Sequence, residues 1–203
     1  MKKLYIVRHG ETEWNKKGKT QGMLDSSLTD LGIIQANRLA NRLSEEKINH
    51  IYTSDLSRAH DTANIISKKL GLKLNVAKEL REMNFGCWQG LTKKERKANY
   101  PKEHIVWHSE PHKASIEGAE TLLQVKERTL DLINRLKIEH RDENVLLVSH
   151  GSAIKTLILG ILGIDLSHYK KIAQSNTALN IIEFREHSSV ITLLNDTNHL
   201  REV

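Results

Sequence analysis

The amino-acid sequence predicts an α/β fold. Short apolar runs at residues 3–7, 51–53 and 145–148 have the length and side chains of buried strands. Between them lie stretches of ten or more residues with apolar side chains at helical spacing, the alternation of an α/β sheet rather than a bundle or an all-β barrel. No repeat, low-complexity tract or Pro/Gly/Ser linker divides the 203 residues. The chain therefore reads as one domain over 1–203, long enough to bury roughly 70% of its unfolded surface.

Taken in order, residues 3–7 form a strand that stops at Arg8-His9-Gly10, and 10–28, with Gly10, Gly18, Gly22 and several Ser, Thr and Asp, read as a loop. Thr29 is placed to cap a helix carrying Leu31, Ile34, Leu39 and Leu43 on its apolar face. After the strand at 51–53, residues 56–70 set Ala59, Ala63, Ile66 and Leu70 along one helix face, with Gly71 as the C-terminal cap. Residues 74–77 suggest a third strand. Residues 91–111, polar and interrupted by Pro101 and Pro111, suggest a helical lid, an insertion covering about 91–115. A long amphipathic helix is predicted over 120–138 through Leu122, Val125, Thr129, Leu132, Ile133 and Leu136. The strand at 145–148 runs into Ser149-His150-Gly151, a helix over 153–162 follows, and 180–184 with 190–194 make a final strand pair.

Thirty-one Lys and Arg against 25 Asp and Glu give a net charge of +6, which suits nucleic acid, an acidic membrane surface or an anionic metabolite. The lysines are scattered along polar helix faces and aromatics make up 4% of the chain, so no basic stripe interleaved with aromatics marks nucleic-acid binding. The most apolar stretch, 156–164, contains Gly160 and Gly163 and falls short of the ~20 residues of a membrane span. The apolar run after the first residues is too short for a signal peptide, and the single cysteine, Cys87, forms no intrachain disulfide. A cytoplasmic protein is expected, with a homodimer left open.

In open α/β sheets ligands bind beyond the carboxyl ends of parallel strands. Arg8-His9 follows the first strand, His150 follows the strand at 145–148, and Arg58 lies a few residues past the strand at 51–53. If these strands are neighbours, two His and two Arg share one edge, a donor set suited to a phosphoryl group. Gly10 and Gly151, directly after the two histidines, would let a ligand approach the backbone.

Arg8-His9-Gly10-Glu11-Thr12, Trp14-Asn15, Gln21-Gly22, Ser57-Arg58-Ala59, Arg81-Glu82 with Gly86, and Ser149-His150-Gly151 together resemble the histidine phosphatase superfamily, in its phosphoglycerate mutase-like branch, from residue 3 to about 195. The resemblance implies a three-layer α/β/α sandwich with a mostly parallel central sheet. It also implies an enzyme that hydrolyses small organic phosphomonoesters through a phosphohistidine, with no metal and no cofactor. His9 would be the nucleophile, Arg8, Arg58 and His150 would surround the phosphoryl group, and Glu82 would give and take the proton. Gly10, Thr12, Asn15, Gln21, Gly22 and Gly151 would complete the substrate-binding shell. The partner implied is a small phosphorylated metabolite. Some branches place an Asp after the second histidine as the acid; here Gly151 stands there, which favours Glu82.

Within the family, a phosphoglycerate mutase is the closest rival, although the chain has no Arg-Arg pair in its lid and would have to use Lys93, Lys94, Arg96 or Lys97 instead. A ribazole phosphatase is a second rival, and a catalytically silent phospholigand-binding protein is the reading of a different class. Other motifs carry less. Gly18-Lys19-Thr20 lacks the preceding glycine of a P-loop, because position 13 is Glu, and the sixth residue after Cys87 is Lys93 where a cysteine phosphatase has Arg. No G-x-S-x-G elbow occurs. His104, His108 and His112 share a helical spacing of four, but Pro111 breaks that helix and no acidic or Cys ligand joins them. Trp88 and Trp107 are expected either at the substrate entrance or in packing under the lid.

Overall fold

In the computed structural model, which describes residues 1–201, the elements run β1 (Lys3–Arg8), α1 (Glu13–Lys16), α2 (Asp30–Leu43), β2 (His50–Thr53), α3 (Ser57–Leu70), β3 (Leu74–Val76), α4 (Lys93–Asn99), α5 (Pro101–Ser109), α6 (Leu122–Glu139), β4 (Asn144–Ser149), α7 (Gly151–Ile161), β5 (Leu179–Phe184) and β6 (Ser189–Asp196). The six strands form one sheet in the order β3-β2-β4-β1-β5-β6. The first four in that order are parallel, and β5 and β6 join antiparallel. No helix of the described residues is long and apolar enough to cross a membrane.

The period of two in a strand divides the core into two layers. From β1, Leu4 and Ile6 pack with α6 and α7, while Tyr5 and Val7 pack with α2 and α3; β4 splits the same way, Val145 and Leu147 against Leu146 and Val148. Both central strands are therefore buried on both faces, which is why they read as unbroken apolar runs. Helix-bearing crossovers between parallel strands place α2 and α3 on one side and α6 and α7 on the other, completing a three-layer α/β/α sandwich.

Several local expectations change. The segment 10–28 contains the one-turn helix α1, closed by a capping box in which Thr12 Oγ1 accepts from the Asn15 amide and the Asn15 side chain accepts from the Thr12 amide. Thr29 caps α2 as predicted, accepting from the Gly32 amide at 3.0 Å. The buried face of α2, however, is Gly32, Ala36, Leu39, Ala40 and Leu43, while Leu31 and Ile34 are each 49% exposed. The face is rotated because the first turn of α2 abuts the chain at Gly10-Glu11, where only a glycine fits. Pro101 interrupts the segment as expected, and it also opens α5 at its first turn. Helix α7 begins at Gly151, two residues earlier than predicted, with His150 itself as the N-cap residue. Trp88 is wholly buried in the core, while Trp107 packs at the core's edge. Cys87 is a half-buried free thiol against the same core.

Gly32 and Gly71 test two different reasons for glycine. A Cβ on Gly32 would fall 2.1 Å from the Glu11 carbonyl oxygen, whereas Gly71 has φ +68° and open space around it. Gly32→Ala is expected to cost ~1–3 kcal/mol through overpacking and to disturb the segment at Gly10-Glu11. Gly71→Ala is expected to cost ~1–2 kcal/mol by left-handed strain alone, with no change at residues 8–15. Urea unfolding together with backbone amide chemical shifts separates the two, and equal perturbation of residues 8–15 by both variants contradicts this account.

Candidate active site

Because β1, β4 and β2 are parallel neighbours, their carboxyl ends deliver Arg8-His9, His150 and the start of α3 to one edge of the sheet. A cavity of about 340 Å³ opens there, lined by Arg8, His9, Asn15, Gln21, Gly22, Arg58, Glu82 and Gly151 among others.

His9 is buried, and its Nδ1 lies 2.7 Å from its neighbour's carbonyl, Gly10 O. A carbonyl only accepts, so Nδ1 carries the proton and Nε2 keeps its lone pair. Burial, followed by the charges of Arg8 and Arg58, holds the His9 pKa well below the ordinary histidine value. The ring is thus neutral and nucleophilic at neutral pH. His150, completely buried with its ring centroid 5.2 Å from that of His9, is held down by burial, then by Arg58, His9 and Arg8.

The cations are fixed by carbonyls. Arg58 is wholly buried; its Nη2 donates to Gly22 O at 2.7 Å, and Nη1 to Leu24 O at 2.8 Å and to Asp25 Oδ1 at 3.3 Å. Arg8 Nη1 donates to Gln174 O at 2.7 Å. What remains is a set of buried polar atoms with no protein partner: Arg8 Nε, Arg58 Nε and both ring nitrogens of His150. Since unsatisfied buried donors are costly, their convergence beside the His9 ring marks a site shaped for an acceptor-rich anion.

Glu82 belongs to the opposite wall. Its Oε1 accepts from the amides of Met83 at 2.8 Å, Ser152 at 3.1 Å and Ala153 at 3.1 Å, so the carboxylate is held at the N-terminus of α7. Arg81 does not pair with it; that guanidinium is engaged by Asp55 instead. A Cβ on Gly151 would be 3.7 Å from Glu82 Oε2 and 3.8 Å from Arg8 Nε, so Gly151 is the floor between acid and cation.

The site residues read from the sequence divide by position. Arg8, His9, Asn15, Gln21, Gly22, Arg58, Glu82 and Gly151 line the cavity, and His150, wholly buried beside the His9 ring, is not among the lining residues. Gly10 and Thr12 do not line it. Gly10 is glycine because a Cβ there would be 2.6 Å from the Gly32 carbonyl oxygen, a contact with α2 rather than with a ligand. Thr12 is buried as the cap of α1, where it sets Asn15; with Asn15 Oδ1 accepting from Thr12 and from Asn176 Nδ2, the Asn15 Nδ2 donor is left uncommitted. From α4 and α5, Arg96 and Trp107 reach the cavity, while Lys93, Lys94 and Lys97 are exposed and do not line it.

The sequence reading missed several supports. Arg128, inside α6, donates to the carbonyls of Glu79, Arg81 and Glu82 while pairing twice with Glu120, and so fixes the segment that carries Glu82. Asn176 donates to His9 O at 3.0 Å. Lys155 and Tyr169 line the cavity, Lys155 Nζ lying 3.7 Å from the Tyr169 ring centre. Lys155 follows Ser152 by three residues and Gly151 by four, a helical spacing that the sequence did carry; Arg128 and Asn176 had no such signal.

As to metals, the described residues bring one group of three ligand types together, His50, His140 and Glu143, at the amino ends of the strands and away from the cavity. The two rings stack at 3.8 Å and 23°, so their in-plane lone pairs run side by side, and Glu143 Oε2 meets both at 2.9 and 3.3 Å. This geometry is that of a shared hydrogen-bond acceptor. His104 and His108 stack edge to face at 4.4 Å, and His112 lies beyond their helix.

A sequence model described as the histidine phosphatase superfamily (branch 1) matches residues 4–197. Phosphoserine phosphatase 1 of Hydrogenobacter thermophilus is 35% identical over 202 residues, covering 100% of this chain and 96% of that protein. Among solved structures, Bacillus stearothermophilus YhfR superposes with a TM-score of 0.93 at 32% identity, covering 98% of each chain. The phosphoserine phosphatase of Entamoeba histolytica in complex with 3-phosphoglyceric acid superposes with a TM-score of 0.89 at 33% identity, covering 98% of this chain and 100% of the other.

The two buried neutral imidazoles make stability depend on pH. As pH falls through 6.5 the unfolded chain binds protons on His9 and His150 that the native state refuses, so stability is lost on going from pH 7 to pH 5, by at most ~1.4 kcal/mol per pH unit for each ring. Urea unfolding at the two pH values should show that loss, and it should be smaller in His150→Gln. The same loss in both proteins would refute the assignment to His150.

Proposed function

The chain belongs to branch 1 of the histidine phosphatase superfamily, and from that premise we propose that it hydrolyses small phosphomonoesters through a phosphohistidine on His9. The observation that carries this is a neutral His9, its Nδ1 tied to Gly10 O, beside the unpartnered donors of Arg8, Arg58 and His150.

Phosphoryl transfer demands positioning and neutralisation of equatorial oxygens more than covalent help. The forks of Arg8 and Arg58 and an N–H of His150 supply both, with Asn15 Nδ2 and the Gly22 loop as further walls. The Nε2 lone pair of His9 attacks phosphorus, the P–O ester bond breaks in line, and the leaving oxygen takes a proton from Glu82. The phosphorylated ring is then cationic, with its Nδ1–H still donating to the Gly10 carbonyl, which stabilises the intermediate. Water next attacks phosphorus, gives its proton to Glu82, and the N–P bond breaks, regenerating neutral His9. One carboxylate thus serves both half-reactions.

Hydrolysis is favoured over mutase chemistry by the segment 91–115. A mutase must hold a bisphosphorylated intermediate, and of the cations in that segment only Arg96 lines the cavity.

Incubation with a labelled phosphomonoester and an alkaline quench should trap an acid-labile, alkali-stable label that is absent from His9→Ala, whose turnover should fall by more than ~10³-fold; unchanged turnover in that variant would sink the mechanism. Glu82→Gln should lose ~10²–10⁴-fold on alkyl phosphates and much less on p-nitrophenyl phosphate, whose leaving group needs no proton. Equal losses on both esters would remove Glu82 from the role of acid.

A further inference from the structure

Three hydrogen bonds converge on the residue that follows the nucleophile. The carbonyl that receives the His9 Nδ1 proton at 2.7 Å belongs to Gly10. Glycine is the residue least able to hold a carbonyl in one direction by itself, because no Cβ restricts its backbone. The direction matters. If that oxygen swings away, Nδ1 loses its acceptor, and nothing in the ring keeps the proton on Nδ1 rather than on Nε2, the nitrogen that has to attack. Whatever aims the carbonyl therefore takes part in making His9 a nucleophile.

Two side chains do so, and neither lines the cavity. The Gly10 amide donates to Thr62 Oγ1 at 3.0 Å, and the Glu11 amide donates to Gln35 Oε1 at 2.9 Å. The first bond fixes the peptide before Gly10. The second fixes the peptide after it, the unit whose oxygen faces His9. Gly10 is thus held from α3 through Thr62 and from α2 through Gln35. Thr62 is wholly buried, and its hydroxyl proton goes to the Arg58 carbonyl, one helical turn back, at 2.7 Å. Toward Gly10 the oxygen accordingly acts as acceptor. One hydroxyl ties the strand end that carries the nucleophile to the helix turn that carries the buried cation. Gln35 acts through the peptide bond. By accepting from the Glu11 amide it polarises the unit whose carbonyl takes the Nδ1 proton, and hydrogen bonds in series strengthen one another. The effect grows when the ring becomes a cationic phosphohistidine, so it favours the intermediate over the resting ring.

Resting on the phosphatase reading above, we propose that Thr62 and Gln35 are positioning residues for the reaction. By fixing the peptides on either side of Gly10 they hold its carbonyl on His9 Nδ1 and leave the Nε2 lone pair free for phosphorus. Both act through Gly10 and not on the ester.

The test reads the His9 ring directly. Nitrogen NMR of the substrate-free protein with isotope-labelled histidine should show one His9 tautomer, protonated on Nδ1, the signals being identified by their absence from His9→Ala. In Thr62→Val, which keeps the shape and removes the acceptor, and in Gln35→Met, the proton should spread over both nitrogens. With p-nitrophenyl phosphate, kcat should fall ~10–100-fold in Thr62→Val and ~3–10-fold in Gln35→Met, with KM held within about twofold. Thr62→Ser restores the acceptor and should recover the single tautomer and most of kcat. A tautomer or a kcat that stays as in the unaltered protein removes the varied residue from this role, and Thr62→Ser behaving like Thr62→Val removes Thr62. Where Thr62→Val does not fold, Gln35→Met decides. Because the ring spectrum needs no ester, the two readings fail separately. A tautomer that unlocks in the variants of a protein that turns over no ester brings down the hydrolase reading alone, whereas turnover with an unmoved ring brings down the positioning alone.

Discussion

Everything in this site depends on how two guanidinium groups are kept inside the protein next to two uncharged imidazoles. Arg58, wholly buried, is secured chiefly by main-chain oxygens of the loop at Gly22 and Leu24, and Arg8 by the carbonyl of Gln174. Carbonyls satisfy the hydrogen-bonding demand of a cation without cancelling its charge as a carboxylate would. The positive potential therefore survives burial: after burial itself it helps to keep the proton off His9 and His150, and it suits the arrival of an anion. Had Asp25 lain as close to Arg58 as Asp55 lies to Arg81, the charge of that one guanidinium would have been largely offset before any substrate arrived.

The carboxylate of Glu82 obeys the opposite logic. Glu82 is held by amides of α7 and by a segment that Arg128 grips through three carbonyls, while Glu120 absorbs the charge of Arg128. Cation and carboxylate are thus kept on separate walls, with Gly151 between them, instead of collapsing into an ion pair.

Much of this was legible in the sequence, because the residues that end parallel strands need no side-chain packing to be placed. Once the runs at 3–7 and 145–148 are strands of one parallel sheet, Arg8-His9 and His150 must share an edge. The helix faces of α3 and α6 were equally clear, since Ala59, Ala63 and Ile66, or Leu122 through Leu136, follow one period. Other features were hidden. The rotation of α2 follows from a backbone contact between Gly10 and Gly32, and no hydropathy pattern records that contact. Gly10 and Thr12 belong to the motif yet act behind the wall, one by omission of a side chain and the other through Asn15. Arg128 and Asn176 work through carbonyls brought close only by the finished fold, and in the sequence they are an ordinary helix arginine and an ordinary loop amide.

The order of the strands has a consequence for synthesis. Strand β1 emerges first, yet its neighbours are β4 and β5, and the bond from Arg8 to the Gln174 carbonyl joins groups 166 positions apart. While the ribosome is still adding α6, the central strand has no partner on either side, and the guanidinium and imidazole at its end are exposed to water. Contacts of such long range close late and slowly. The electrostatic cluster cannot be completed until those later strands have been made, and a chain stalled before β5 would carry Arg8, His9, Arg58, Glu82 and His150 without the full burial that the finished sheet gives them.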